Sequence, residues 1–151
     1  MDESYYLAMA YYQVAIHQQD QDAEGSQPKF QRSVDLLKQV VNEDAADASS
    51  HYVLGYAYDE LGRYDLAIKH NRKAVELDEG EYGTVGRWNE AVSLLKQEKP
   101  VEALSVLGQI PESGSWDKIW EDDELAPLRN NPQLEVHFRE LWITKSAKEA
   151  N

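Results

Sequence analysis

Four histidines and no cysteine set narrow limits on the chemistry open to this chain. His17, His51, His70 and His137 are scattered, and none pairs with a carboxylate at an obvious metal-ligand spacing. His51 falls on the core side of its helix and reads as a packed residue. Without a thiol there is no cysteine nucleophile, no cysteine-based zinc site and no disulfide framework. The chain also lacks a G-x-x-x-x-G-K-S/T phosphate loop, an H-E-x-x-H zinc helix, a G-x-S-x-G elbow and a glycine-rich dinucleotide turn. We therefore expect no catalytic residues, no metal and no cofactor. What remains is non-covalent recognition, and the residues spaced for it lie on helices. At 100° per residue, Ser49, Tyr52, Tyr56 and Asp59 cluster half a turn from Leu54 and Leu61, so the two sets cannot share one core.

Charge narrows the partners. Fifteen basic against twenty-eight acidic residues leave a net charge of −13, which opposes binding to nucleic-acid phosphates or anionic membranes. The acids gather at Asp20 to Glu24, Glu43 to Asp47, Glu76 to Glu81 and Glu121 to Glu124, at expected loops or helix ends. They read as a solvated surface or as a rim for a basic partner. No apolar run reaches the ~18 residues of a membrane span, and the N-terminus lacks the basic start of a signal peptide. A soluble, cytoplasmic chain is expected.

The elements that position the strip centre on residues 48–79. Leu54, Gly55, Tyr58 and Leu61 lie on one face of a first helix, and Gly62 ends it. Ala67, Ile68, Asn71, Ala74, Val75 and Leu77 make the stripe of a second helix. Leu54-Gly55, Tyr58, Gly62, Tyr64, Ala67 and Ala74 match the 34-residue signature W-x2-L-G-x2-Y, A-x3-F, P, so this stretch resembles a tetratricopeptide repeat. His51, Asn71 and Glu79 replace the family's Trp, Phe and Pro.

Further copies follow. Leu7, Ala8, Ala10 and Tyr11 correspond to Leu54, Gly55, Ala57 and Tyr58, while Phe30, Val34, Val40 and Val41 correspond to Tyr64, Ile68, Ala74 and Val75. The first offset exceeds the second by thirteen residues, which we expect as a polar, mobile loop within 18–29, with Pro28 near the start of the next helix. Ala91, Leu94, Leu95, Pro100, Ala103, Leu104 and Leu107 give a weaker third unit, in which Glu90 stands where Leu54 stood. From Trp116 the pattern changes: a short acidic-started helix, then Asn131-Pro132 opening a last helix through Leu134, Phe138, Leu141 and Trp142.

The resemblance implies one all-α domain, a right-handed solenoid of about three helical hairpins. Its parts are repeat one over 2–46 with the insert, repeat two over 48–80, a degenerate repeat three over 84–114 and a capping segment over 116–147. In such proteins the inner face of the first helices lines a groove that receives peptides. Here that face carries Tyr5, Met9, Tyr12 and Ile16, then Ser49, Tyr52, Tyr56 and Asp59, then Val85, Trp88, Val92 and Leu95. It is expected to hold little charge. Some members of the family clamp a C-terminal carboxylate with Lys, Arg and Asn; Tyr5, Met9, Tyr56 and Val85 stand at those places, so no such clamp is expected. By resemblance the function is protein–protein interaction, as adaptor, assembly factor or regulatory subunit, with an apolar or aromatic partner segment flanked by basic residues. The alternative is a self-associating structural protein, a homo-oligomer, whose groove is filled by a second copy or by its own C-terminal segment around Phe138 and Trp142.

Overall fold

Three antiparallel hairpins and a cap account for the described residues. The computed structural model describes residues 3–149, whose regular structure is all helical. The hairpins are α1 (Glu3–Gln19) with α2 (Ala23–Glu43), α3 (Ala48–Glu60) with α4 (Tyr64–Leu77), and α5 (Glu79–Lys96) with α6 (Pro100–Leu107). Each helix packs on the next, α1 also meets α3, and α3 meets α5. The layer whose alternate helices approach is the inner one, so α1, α3 and α5 form the inner wall of a helical-hairpin solenoid, the expected class.

Local signals explain the breaks. Gly62 adopts φ 71°, its amide bonds the Asp59 carbonyl at 2.9 Å, and the Arg63 amide bonds that of Tyr58 at 2.8 Å. This is the Schellman end of α3, at a position where a side chain would be strained. In the third hairpin Glu98 takes the same place at φ 59°, with the Lys99 amide reaching the Leu94 carbonyl at 2.9 Å. The acidic runs supply helix starts: Asp22, Asp47 and Asp78 accept from the amides of Gly25, Ser49 and Glu81.

The thirteen extra residues are not the expected loop. Gln13 is the counterpart of Glu60, where α3 ends, yet α1 continues to Gln19; Phe30 is the counterpart of Tyr64, where α4 begins, yet α2 already starts at Ala23. The insert thus lengthens both helices by nearly two turns and leaves a three-residue turn, Asp20 to Asp22. Pro28 lies inside α2, six residues from its start. Past the first turn it removes the bond that an amide there would make to the Glu24 carbonyl, and the polar insert is helical in spite of that loss. Gln27 fastens the extension to the stack by donating to the Glu60 carbonyl at 2.9 Å.

Two apolar clusters meet at α4. Ala67 belongs to the first, with Ala8, Phe30, Leu37 and Leu54; Ile68 belongs to the second, with Ala91, Leu107, Trp116 and Phe138. Close approach is built in: Ser33, where the second repeat has Ala67, donates to the Ala8 carbonyl at 2.9 Å. The cap comprises α7 (Trp116–Glu121), a 3-10 turn (Asp123–Leu125), α8 (Ala126–Arg129) and α9 (Glu135–Glu149). The last helix starts later than expected. Asn131 Oδ1 accepts from the Gln133 amide at 2.9 Å and from that of Leu134 at 3.3 Å, making a turn before α9. Among the described residues no helix is long and apolar enough to cross a membrane.

Candidate functional site

The inner wall is aromatic. The Tyr5 hydroxyl lies 2.9 Å from Ser49 Oγ, joining α1 to α3. Tyr12 meets Tyr56 edge to face at 5.6 Å, and Tyr52 packs on Tyr82 of α5 at 5.2 Å. Met9, Tyr52 and Tyr56 are half-buried against the first cluster and Trp88 against the second. Tyr56, Asp59, Trp88 and Val92 line one cleft where α3 faces α5.

The nine expected groove residues therefore sit on the inner helices, but the strip is not the exposed apolar surface anticipated. Tyr12 and Val92 are buried, at 7% and 5% exposure, and serve as core. Most large apolar side chains that face solvent lie elsewhere, with Leu7 at 46% and Val14 at 50% on the opposite side of α1 and Tyr6, at 65%, beside Tyr5 on its flank. Of the third repeat's stripe, Val85 is 41% exposed. The expected alternative, in which the C-terminal helix fills the groove, is overturned. Phe138 and Trp142 pack on Trp120 of α7, at 4.9 and 5.1 Å, and the Trp142 indole donates to Asp117 at 2.7 Å. That helix covers the end of the stack.

The cleft also carries more charge and more polar groups than expected. Glu60, Asn89 and Glu124 complete its lining. Asp59 is engaged: it accepts from Ser93 at 2.6 Å and pairs with Lys96, whose ammonium sits 5.9 Å from the Tyr64 ring. Burial raises the Glu60 carboxyl above its ordinary range, with Lys96 opposing and Asp59 and Glu124 adding to the shift; Gln19 donates to it. Burial, then the charges of Glu60, Asp59 and Glu124, push the Tyr56 phenol up to about 12. Tyr52 is raised by burial, and the nearby Asn89 amide offsets part of that. The tyrosines are thus neutral donors and the field in the cleft is negative. One cation, Lys96, and one amide, Asn89, stand where neither was expected.

Sequence reasoning missed these groups for different reasons. Glu60 and Asn89 are chain neighbours of Asp59 and Trp88, one step off the stripe, and a wider angular window would have included them. Glu124 arrives from the cap, and no helical periodicity points to it. The stacked pair His51 and His70 was also missed: Nδ1 lies 2.8 Å from Nδ1 across α3 and α4, with rings 5.1 Å apart.

The tetratricopeptide repeat family profile matches residues 5–80, half of the chain. No curated protein sequence matches. Among solved structures, the Yersinia enterocolitica type III secretion chaperone SycD, in complex with a peptide of the translocator YopD, superposes with a TM-score of 0.55 at 20% identity, covering 91% of this chain and 94% of that one. The same chaperone in an alternative dimer gives 0.55 at 19% identity, covering 92% and 94%. At such identity the likeness is one of fold.

Proposed function

The chain belongs to the tetratricopeptide repeat family, and on that premise we propose that it is a protein-interaction module, holding an apolar or aromatic segment of a partner against α1, α3 and α5. The supporting observation is the run of half-buried Tyr5, Met9, Tyr52, Tyr56 and Trp88 along the inner wall. Each is held by neighbours and still offers a face, so little rotamer entropy is lost when a ligand docks. The peptide complex of the Yersinia chaperone supports a peptide as the class of ligand. The negative field favours basic flanks on that peptide. A cytoplasmic place, without nucleic-acid or membrane partners, belongs to the same proposal.

Panning a displayed random-peptide library against wild type and against a Tyr52→Ala, Tyr56→Ala, Trp88→Ala variant, shown to be helical by circular dichroism, tests it. Peptides sharing an apolar or aromatic consensus should bind wild type and lose tenfold or more on the variant. Equal binding to both proteins, or no enriched peptide, refutes the groove.

One observation favours a second reading, self-association. α1 carries a single carboxylate, Glu3, in a chain of net charge −13, and its outer face shows Leu7, Ala10, Tyr11 and Val14. Two copies so strongly charged repel except where acids are absent. Sedimentation equilibrium of wild type and a Leu7→Asp, Val14→Asp variant decides it; a monomer in both cases refutes this reading.

A further inference from the structure

The second and third repeats supply two sides of the cleft between α3 and α5, and the cap supplies its third side. We propose that this cleft is a subsite for one basic side chain, arginine or lysine, of the bound segment, closed by Glu124 of the capping turn; the inference rests on the groove reading and names what its acidic part selects. The lining alternates π-faces and carboxylates: Tyr56 and Trp88 beside Asp59, Glu60 and Glu124. Three carboxylates face one cation, Lys96, which pairs with Asp59 and is felt at longer range by Glu60 and Glu124. Among the described residues Glu60 and Glu124 form no ion pair, so carboxylate acceptors are left over for an incoming cation, Glu60 taking up its charge as the cation arrives. A guanidinium or ammonium placed there gains charge-assisted hydrogen bonds from both and lies against the indole of Trp88.

Asn89 points to a ligand independently. It is 7% exposed, it lines the same cleft, and its Nδ2, although near the Tyr52 hydroxyl, makes no hydrogen bond of good geometry. A buried amide donor left unpaired is costly in the empty groove. A peptide whose basic side chain enters the cleft brings its own backbone carbonyl alongside, and that carbonyl is the acceptor Asn89 lacks. Burial already biases Glu60 toward its neutral form, so an added cation also relieves the crowding of charge. The cap thereby has two tasks, covering the apolar end of the stack and completing the acidic wall.

The experiment uses N-acetyl-arginine methylamide as probe, followed by amide and indole resonances of the full chain. The Asn89 side-chain NH2 and Trp88 indole signals should shift saturably at millimolar probe. The neutral isostere N-acetyl-citrulline methylamide should not shift them. A Glu60→Gln, Glu124→Gln variant, isosteric and checked by circular dichroism, should bind the arginine probe tenfold or more weakly. Shifts that never saturate, that citrulline reproduces, or that survive in the variant overturn the subsite. Its failure is separable from that of the groove: a saturable arginine site with no enriched library peptide sinks the groove alone, and enriched apolar peptides without arginine saturation sink the subsite alone.

Discussion

Acid should loosen the second hairpin through the histidine pair. His51 Nε2 lies 3.2 Å from the Ala45 carbonyl, which can only accept, so that nitrogen carries the proton and His51 Nδ1 is the acceptor for His70 Nδ1–H. Protonating His51 would set two N–H groups against each other. Burial chiefly, then the charge of His51 and of Lys69, brings His70 down to about 4, and burial likewise lowers His51, with the Ala45 carbonyl and Asp47 opposing and Lys73 and Lys69 adding to it. A folded pKa below the unfolded one means that the neutral ring is the stabilising form. Its contribution is complete above the unfolded pKa and is lost as pH falls from about 6.5 towards about 4. Linkage from pH 7 to pH 5 amounts to about 2 kcal/mol if the shift is fully expressed, which partial solvation of the ring reduces to roughly 1 kcal/mol. Urea melts of wild type and His70→Phe at both pH values isolate the effect, since Phe keeps the stacking on Tyr58 and cannot titrate. Wild type should lose about 1 kcal/mol more than the variant on acidification. Equal losses in the two proteins would refute the tautomer and burial argument.

Three further perturbations follow from the packing. Glu98→Gly removes a side chain held at φ 59° and should stabilise the chain by about 1 kcal/mol, read as a midpoint rise of several degrees in thermal melts. A β-carbon at Gly55 would come within 2.7 Å of Asn71 Cγ, so Gly55→Ala should cost roughly 1–2 kcal/mol after its helix propensity is counted, and much less in an Asn71→Ala background; additivity in that cycle would contradict the contact. Arg72→Met strands Glu90, whose side chain is 7% exposed, and should cost roughly 1–3 kcal/mol, while Arg72→Met with Glu90→Leu should recover wild-type stability or exceed it in denaturant unfolding.

Tyr5, Tyr52, Tyr56 and Trp88 could be placed on inner helices from the sequence because a helix face follows a 3.6-residue period, and Gly62 could be placed because only one residue type sits easily at positive φ. The family was legible for the same reason, since its signature records small residues at close helix contacts and apolar ones on the buried stripe. The insert was misread because polar composition with Gly25 and Pro28 is a local cue, whereas its helicity rests on an Asp22 cap and on packing against Glu60, a residue 33 positions beyond Gln27. Burial of Tyr12 and Val92, the pairing of His51 with His70 and the arrival of Glu124 beside Trp88 depend on which elements meet. The helices, their repeat and their inner faces follow from short spacings along the chain. How much of each face stays open and which charges gather there follow from which elements meet, because burial and electrostatics depend on distance in space.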